Sequence, residues 1–443
     1  MTMGYLLSLL SPVFDMWFAN AHILGAPPRS WLLIFLVIIA LLTLTIRKRY
    51  PDFVFDPLVR AMLGLILAFI AWSILINFAH YLVNQESEIL SVAIRKILAR
   101  YIGGALLLLS IAFFLADESR IRIFVYVLFV TLAFSSVVGI LQLLDPSLGW
   151  SIKPAMLKAL HLEAGGRILS YRVGGLADFS VPFSYQLAAI IPLIFALLLE
   201  ERNPLLRGGL IIAYVLGLTA LLMTLMRSAI LGVFLAHIVV LYASRGASWT
   251  KRLVFLVLPA GLVVYLLLKF NPFVLERFQR RLEGERTDVG RIVLIQSAID
   301  VLFAHPLGVG IGRFQEVASG TVSETSRPEL ASLVVTQTTA HNQFINTWIY
   351  NGIVGFLLLI SLYVLLFRHL GFLLRAGRRR GRLAGALAVG LLGANVSYLT
   401  HSMFHNAGPF GTGEYVFWYL LVLQFSLAGI LYNLYNRYEN ERA

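Results

Sequence analysis

The side chains best suited to chemistry in this sequence are a histidine at the mouth of an apolar stretch and arginines that membrane anchoring does not explain. His341 stands in TTAHNQFINTW, at the start of an apolar run extending to residue 367. Thr338 or Thr339 is a suitable N-cap for the helix that follows, which puts His341 in its first turn. There the helix dipole disfavours the imidazolium and leaves the neutral imidazole that a general base requires. The plain alternative is an interfacial histidine bonded to solvent. Arg227 lies in LMTLMRSAILG, between two apolar runs with no room for a solvated loop. A guanidinium at such depth is costly and calls for an anionic partner or a wet cavity. Arg291 falls in the first turn of a helix expected from about Val289 to Ala304, capped by Thr287 or Asp288. An exposed helix start carrying an arginine suits a phosphate.

Other polar groups gather nearby in the chain. Ile292, Ile295, Ile299 and Leu302 form one stripe on the Arg291 helix, as expected of an interfacial or lid helix. His305-Pro306 stops that helix, and Gly308, Gly310 and Gly312 follow. With no Gly-Lys-Ser/Thr after them these glycines are not a P-loop, and they read instead as sites of tight backbone packing or a turn. THSMFHNAGPFGTGE supplies His401, His405 and Glu414, whose spacing is not that of a zinc helix, so they are expected to line a cavity and not to bind metal. Glu283, Glu285 and Asp288 are the nearest approach to a carboxylate site for Mg²⁺, and their arginine neighbours read as their partners.

The elements that must position these groups are membrane helices. Of the 443 residues 59% are hydrophobic and 13% charged, about half the charged fraction of a soluble protein, and the mean hydropathy is +0.81. The expectation is an all-α polytopic membrane protein. Runs of about 20 apolar residues fall at 31–46, 59–83, 97–116, 121–144, 180–200, 208–226, 228–244, 252–270, 342–367, 383–402 and 414–434. Residues 4–24, interrupted by Pro12, Asp15, Asn20 and His22, add a weaker one, for about twelve transmembrane helices in all. The chain divides into nine helices over 1–270 with an outer loop at 145–179, a large loop at 271–341, and three helices over 342–443 with a short tail. Without cysteine, disulfide and thiolate chemistry are excluded. The first 25 residues lack a basic n-region and an A-x-A site, so no removable signal peptide is expected.

Charge sets the orientation. Arg47, Lys48 and Arg49; Arg120 and Arg122; Arg202 and Arg207; Arg245, Lys251 and Arg252; and the run from Arg368 to Arg382 alternate with the spans and mark the cytoplasmic side. The net charge of +13 is first this anchoring charge and only then a hint of an anionic ligand; no nucleic-acid partner is expected. The cations that break the rule are Lys153, Lys158, Arg167, Arg172, Arg227 and the cluster Arg277, Arg280, Arg281, Arg286 and Arg291, all on the outer face. Salt bridging inside the loop is their plain reading, and a site for an anion the sharper one.

In order, RVGGLADFSVPFSYQLA, MRSAILG, the Gly-Arg at residues 290–291, HPLGVGIGRF and AHNQFINTWIYNGIVG resemble the O-antigen ligase/polymerase superfamily of bacterial envelope glycosyltransferases. The likeness covers roughly residues 165–405, and HN-x-F after a polar loop is its most specific piece. Within the superfamily the lipopolysaccharide O-antigen ligase is preferred, because protein-directed members usually carry a soluble C-terminal extension and this sequence ends shortly after Leu434. The pathway's polymerases are the near alternative. A lipid-linked oligosaccharide flippase is the alternative of another class, set aside because the unusual cations collect on one face. The resemblance implies an inner-membrane protein with a large periplasmic loop carrying short helices. It implies metal-independent, inverting transfer of glycan from undecaprenyl pyrophosphate to lipid A-core, with no cofactor. It makes His341 the catalytic histidine and Arg227 and Arg291 the essential arginines. Arg172 is a looser carry-over, and Arg167, Lys153, Arg286, Asn342 and His405 join it as expected substrate-binding residues.

Overall fold

The structure, a computed structural model, describes residues 2–17, 28–47, 52–85, 87–145, 148, 173–177, 180–244, 261, 265, 287–318, 340–406, 408–411 and 415–440. Every regular element among them is helical: α1 (Thr2–Trp17), α2 (Pro28–Arg47), α3 (Pro57–Asn84), α4 (Ser87–Lys96), α5 (Gly103–Phe114), α6 (Glu118–Leu144), α7 (Ser180–Glu200), α8 (Pro204–Met223), α9 (Arg227–Ala243), α10 (Thr287–Ala304), α11 (Gln343–Arg380), α12 (Arg382–Ser402) and α13 (Val416–Asn440). A 3₁₀ turn precedes α3 and a π-helical turn, Ile97–Ile102, joins α4 to α5.

Several helix starts follow from a short polar side chain accepting from the first free N–H groups. Asp56 caps α3, Asp117 caps α6, Asn203 caps α8 and Asn342 caps α11. Proline at the first position of α3 and of α8 adds a pre-set φ where no N–H is needed.

Seven helices among the described residues are long and apolar enough to cross a membrane. They are Pro57–Asn84, Ser87–Phe114, Glu118–Leu144, Ser180–Glu200, Pro204–Met223, Gln343–Arg379 and Arg382–Ser402, while Ser30–Thr45, Arg227–Ala243 and Val416–Tyr432 are apolar but shorter. The chain is thus a multi-pass helical protein; the expected count of about twelve goes beyond these seven. Most of the 252–270 span, nearly all of the 145–172 stretch and residues 266–286 and 319–339 lie outside the described residues.

Two stretches expected to be loops are helix. Residues 84–96 were to separate spans, yet Ser87 to Phe114 is one helix, whose apolar face (Ile89, Leu90, Ala93, Ile97) continues through the charged turn and whose register shift is taken up by the π turn. The arginine run from Arg368 onward also stays helical to Arg380, with Gly381 alone before α12. Arginine is a good helix former, and cations at a helix C-terminus meet its negative pole. The interrupted stretch at 4–24 forms α1, where the hydroxyls of Ser8 and Ser11 turn back on the carbonyls of Gly4 and Ser8. Asp15 is buried and accepts the Tyr415 N–H at 3.2 Å, which is how an acidic residue is tolerated there.

The centre of the bundle is α7, buried on all sides from Pro182 to Leu198. A helix apolar all round belongs in such a place. Around it α12 packs against both α7 and α9. Small residues set the spacing: a Cβ on Gly232 of α9 would lie 2.5 Å from the Ser397 carbonyl of α12, and one on Gly393 2.5 Å from Val240.

α11 is broken at Gly352 (φ 65°, ψ −172°). The segment after α10 docks its backbone into this break. Val309 and Gly310 donate their N–H groups to the Ile349 and Tyr350 carbonyls at 2.7 and 3.2 Å, and Ile353 donates to the Pro306 carbonyl at 2.9 Å. α3 completes the joint, with Trp72 donating to the Asn351 carbonyl, Asn77 accepting the Ile311 N–H and His80 donating to the Gly308 carbonyl. Gly308 has φ +89°, and a Cβ there would sit 2.4 Å from the Gly352 nitrogen. The glycine series therefore serves tight backbone packing, one of the two uses its spacing suggested.

Candidate functional site

Three turns meet at the end of the bundle opposite Arg375–Arg382. One is residues 224–226 between α8 and α9, the second is residues 340–342 before α11, and the third is residues 403–406 after α12. Non-glycine residues with positive φ occur, among the described residues, at Gln85, Leu225 and His341. Gln85 is a helix C-cap; the other two belong to the turns of the site. A left-handed side-chain residue costs about 1–2 kcal/mol, and such outliers concentrate where geometry serves function.

His341 is half-buried with φ 51°. It does not occupy the first turn of the helix. Asn342 is the cap, its Oδ1 accepting the Phe344 and Ile345 N–H groups at 2.9 and 3.1 Å, so His341 stands one residue before it. Asparagine competes better than threonine for this position. The Asn342 amide also donates to the Met403 carbonyl at 2.8 Å, fastening the start of α11 to the turn after α12. Beside it Gln343 is fully buried and accepts the Tyr363 hydroxyl at 3.0 Å.

The imidazoles form a series. The His341 ring lies 6.2 Å from that of His405 and nearly perpendicular to it. His405 is 4.9 Å from His401, and the Tyr185 ring is 4.4 Å from His401. His401 is completely buried, with Nε2 2.8 Å from Ser184 Oγ and Nδ1 2.8 Å from Ser228 Oγ. Both of its nitrogens are thus committed to protein, so His401 is not a cavity-lining group as the sequence suggested. Among the described residues no group of three or more His, Asp or Glu has metal-binding geometry.

Arg227 opens α9, next to Ser228. It is exposed, where the sequence pointed to near-burial. The reason is its place at the helix start, from which side chains lean back beyond the first turn. Arg291 lies in the second turn of α10 and not the first, since the helix begins at Thr287. α10 packs against α11, the helix that His341 precedes. The expected stripe on α10 splits: Ile295 and Ile299 are exposed together with Phe303 and Leu307, whereas Leu302 is buried with Leu294, Ala298 and Val301. Lys153, Arg167, Arg172, Arg286 and Glu414 lie outside the described residues.

The structure therefore brings His341, Asn342 and His405 together and ties the Arg227 turn to them through Ser228 and His401. Ser184, Tyr185 and Ser228 were missed from sequence; the available signal was a polar residue inside otherwise apolar helix.

These features define a multi-pass helical membrane protein with a histidine-lined polar site at one end of its bundle and an arginine beside it. Residues 212–360, about a third of the chain, match the family model for O-antigen ligase, and this segment places the protein in the O-antigen ligase superfamily. The match runs from α8 into α11 and takes in Arg227, Arg291, the glycine series and His341. No curated protein matches the chain.

Proposed function

We propose that the protein is an O-antigen ligase, transferring glycan from undecaprenyl pyrophosphate to lipid A-core at the periplasmic face of the inner membrane. The observation that carries this reading is that one family-matched segment, 212–360, holds both the arginine of the α9 start and the histidine before α11, which the fold directs to the same end. An acceptor sugar hydroxyl attacks the anomeric carbon of the donor as its bond to the diphosphate oxygen breaks, inverting that carbon. The hydroxyl proton passes to His341, and the bonding pair leaves with the diphosphate. A hydroxyl is a poor nucleophile near neutrality, so a positioned base is the group this step needs. Arg227, Arg291 and Arg172 take the place of a metal, because guanidinium forks match phosphate oxygens and stabilise the charge that develops there. Arg167, Lys153, Arg286, Asn342 and His405 hold the remaining polar parts of donor and acceptor, and the polyprenyl chain lies among membrane lipids against the apolar helix faces.

The test is incubation of the purified protein with lipid-linked glycan and lipid A-core. Glycan on lipid A-core is the expected product. A lengthened carrier-linked glycan means a polymerase of the same superfamily, and movement of donor across a vesicle bilayer without any new glycosidic bond means a flippase.

A further inference from the structure

We propose that His401 is a positioning residue, a neutral imidazole locked in one tautomer that holds the start of α9, and with it Arg227, in register with His405 and His341. The proposal rests on the glycosyl-transfer reading above and deepens it. Ser184 Oγ is 2.6 Å from the Val181 carbonyl, which can only accept, so the single hydroxyl proton of Ser184 is spent there. Its oxygen therefore accepts from His401 Nε2–H at 2.8 Å. A neutral ring protonated at Nε2 presents a lone pair at Nδ1, and Ser228 Oγ donates to it at 2.8 Å. The result is a directional chain from Ser228 on α9 through His401 on α12 to Ser184 and the Val181 carbonyl on α7.

What this chain restrains is a helix start with little else to hold it. Unlike α3, α6, α8 and α11, α9 has no side-chain cap, since Met226 occupies the cap position. The preceding Leu225 is in the left-handed region at φ +55°, a conformation that persists only where surroundings enforce it. Ser228 is the first buried side chain after this turn and the neighbour of Arg227. On its other side the His401 ring abuts His405, which abuts His341. One buried ring thus sets the spacing between the arginine proposed for the leaving group and the histidine proposed as base. Fully enclosed and with both nitrogens engaged, His401 does not itself reach a substrate.

The test compares His401→Leu, which fills the space without hydrogen bonds, with His401→Gln, whose amide offers one donor and one acceptor, and with Ser228→Ala. Donor KM and kcat are measured on the purified full-length protein with lipid-linked glycan and lipid A-core. His401→Leu and Ser228→Ala are expected to lower kcat/KM by roughly tenfold or more, the scale of one buried hydrogen bond. The expected pattern is a rise in donor KM, with His401→Gln recovering most of the loss. Ser228→Ala placed on Arg227→Ala should add less than about twofold, since both then act through one group. Wild-type constants for Ser228→Ala, or full additivity with Arg227→Ala, overturn the proposal. So does equal loss in His401→Leu and His401→Gln. If His401→Leu does not fold, the Ser228→Ala results decide. Activity retained in Arg227→Ala and His341→Ala removes the underlying reading instead, and is separately recognisable.

Discussion

At the scale of single residues, His341 and Arg227 carry different parts of the reaction and should fail differently. His341→Ala removes a base from a half-buried turn that Asn342 holds independently, so expression and detergent stability should be preserved. Transfer should slow by ~10²–10⁴, the range for a general base. Arg227 is proposed to grip the diphosphate, so Arg227→Lys should restore little, because an ammonium cannot reproduce the planar fork. Donor binding and rate should both suffer, by about 2–5 kcal/mol for the loss of a charged contact in a partly dry site. Full rescue by lysine, read in donor binding, contradicts that role. Residue type alone pointed to His341, Asn342 and His405, because a histidine or amide next to an apolar span is conspicuous. The Ser184–His401–Ser228 chain was not readable, since its members lie 217 and 173 residues apart in sequence and short hydroxyls in membrane helices usually bond their own backbone.

At the scale of elements, the break in α11 is a joint made of backbone. A Cβ on Gly352 would lie 2.3 Å from the Leu307 carbonyl carbon, at a φ of +65° that side chains resist. Gly352→Ala should therefore lower thermal stability by more than the ~1–2 kcal/mol of the dihedral alone. Gly371→Ala, in the same helix and with open space around it, is the matched control and should be neutral or stabilising. Equal melting of the two in detergent contradicts the docking geometry. The glycine spacing suggested close packing, but its partner was hidden, because Gly352 sits inside an apolar run that reads as one uninterrupted helix. In the same way Ser87–Lys96 and the run from Arg368 to Arg380 were misread as loops, since charge lowers apparent span character without opposing helix.

At the opposite end, Asp56 caps α3 and lies 3.6 Å from the buried His369 of α11. Burial pushes the Asp56 carboxyl up, but His369 and the N–H groups of Val59 and Leu58 outweigh it and hold the carboxyl below its ordinary range. A depressed carboxylate stabilises above its unfolded pKa of ~3.9 and loses that contribution as pH falls through the folded value. The melting advantage of the wild type over Asp56→Asn should accordingly be full at neutral pH and shrink below about pH 4. An advantage that grows on acidification contradicts this pairing.

At the scale of the whole molecule, the arginine-rich end and the histidine end of the bundle should face opposite sides of the membrane. The chain contains no cysteine, so single cysteines at Ser248 and Ser323 report sidedness directly. An impermeant thiol reagent applied outside should label Ser323→Cys and not Ser248→Cys; the reverse inverts the orientation and removes the site from the periplasmic face. Transfer should also survive EDTA, and activity lost to chelation and restored by Mg²⁺ or Mn²⁺ contradicts the arginine clamp. The central claim, that His341 is the base of a glycosyl transfer, is met most directly by donor binding and single-turnover transfer to lipid A-core, measured side by side for wild type and His341→Ala. The account predicts unchanged donor binding with a rate reduced ~10²–10⁴-fold in the variant. Wild-type transfer by His341→Ala, or a rate loss accounted for entirely by lost donor binding, contradicts it.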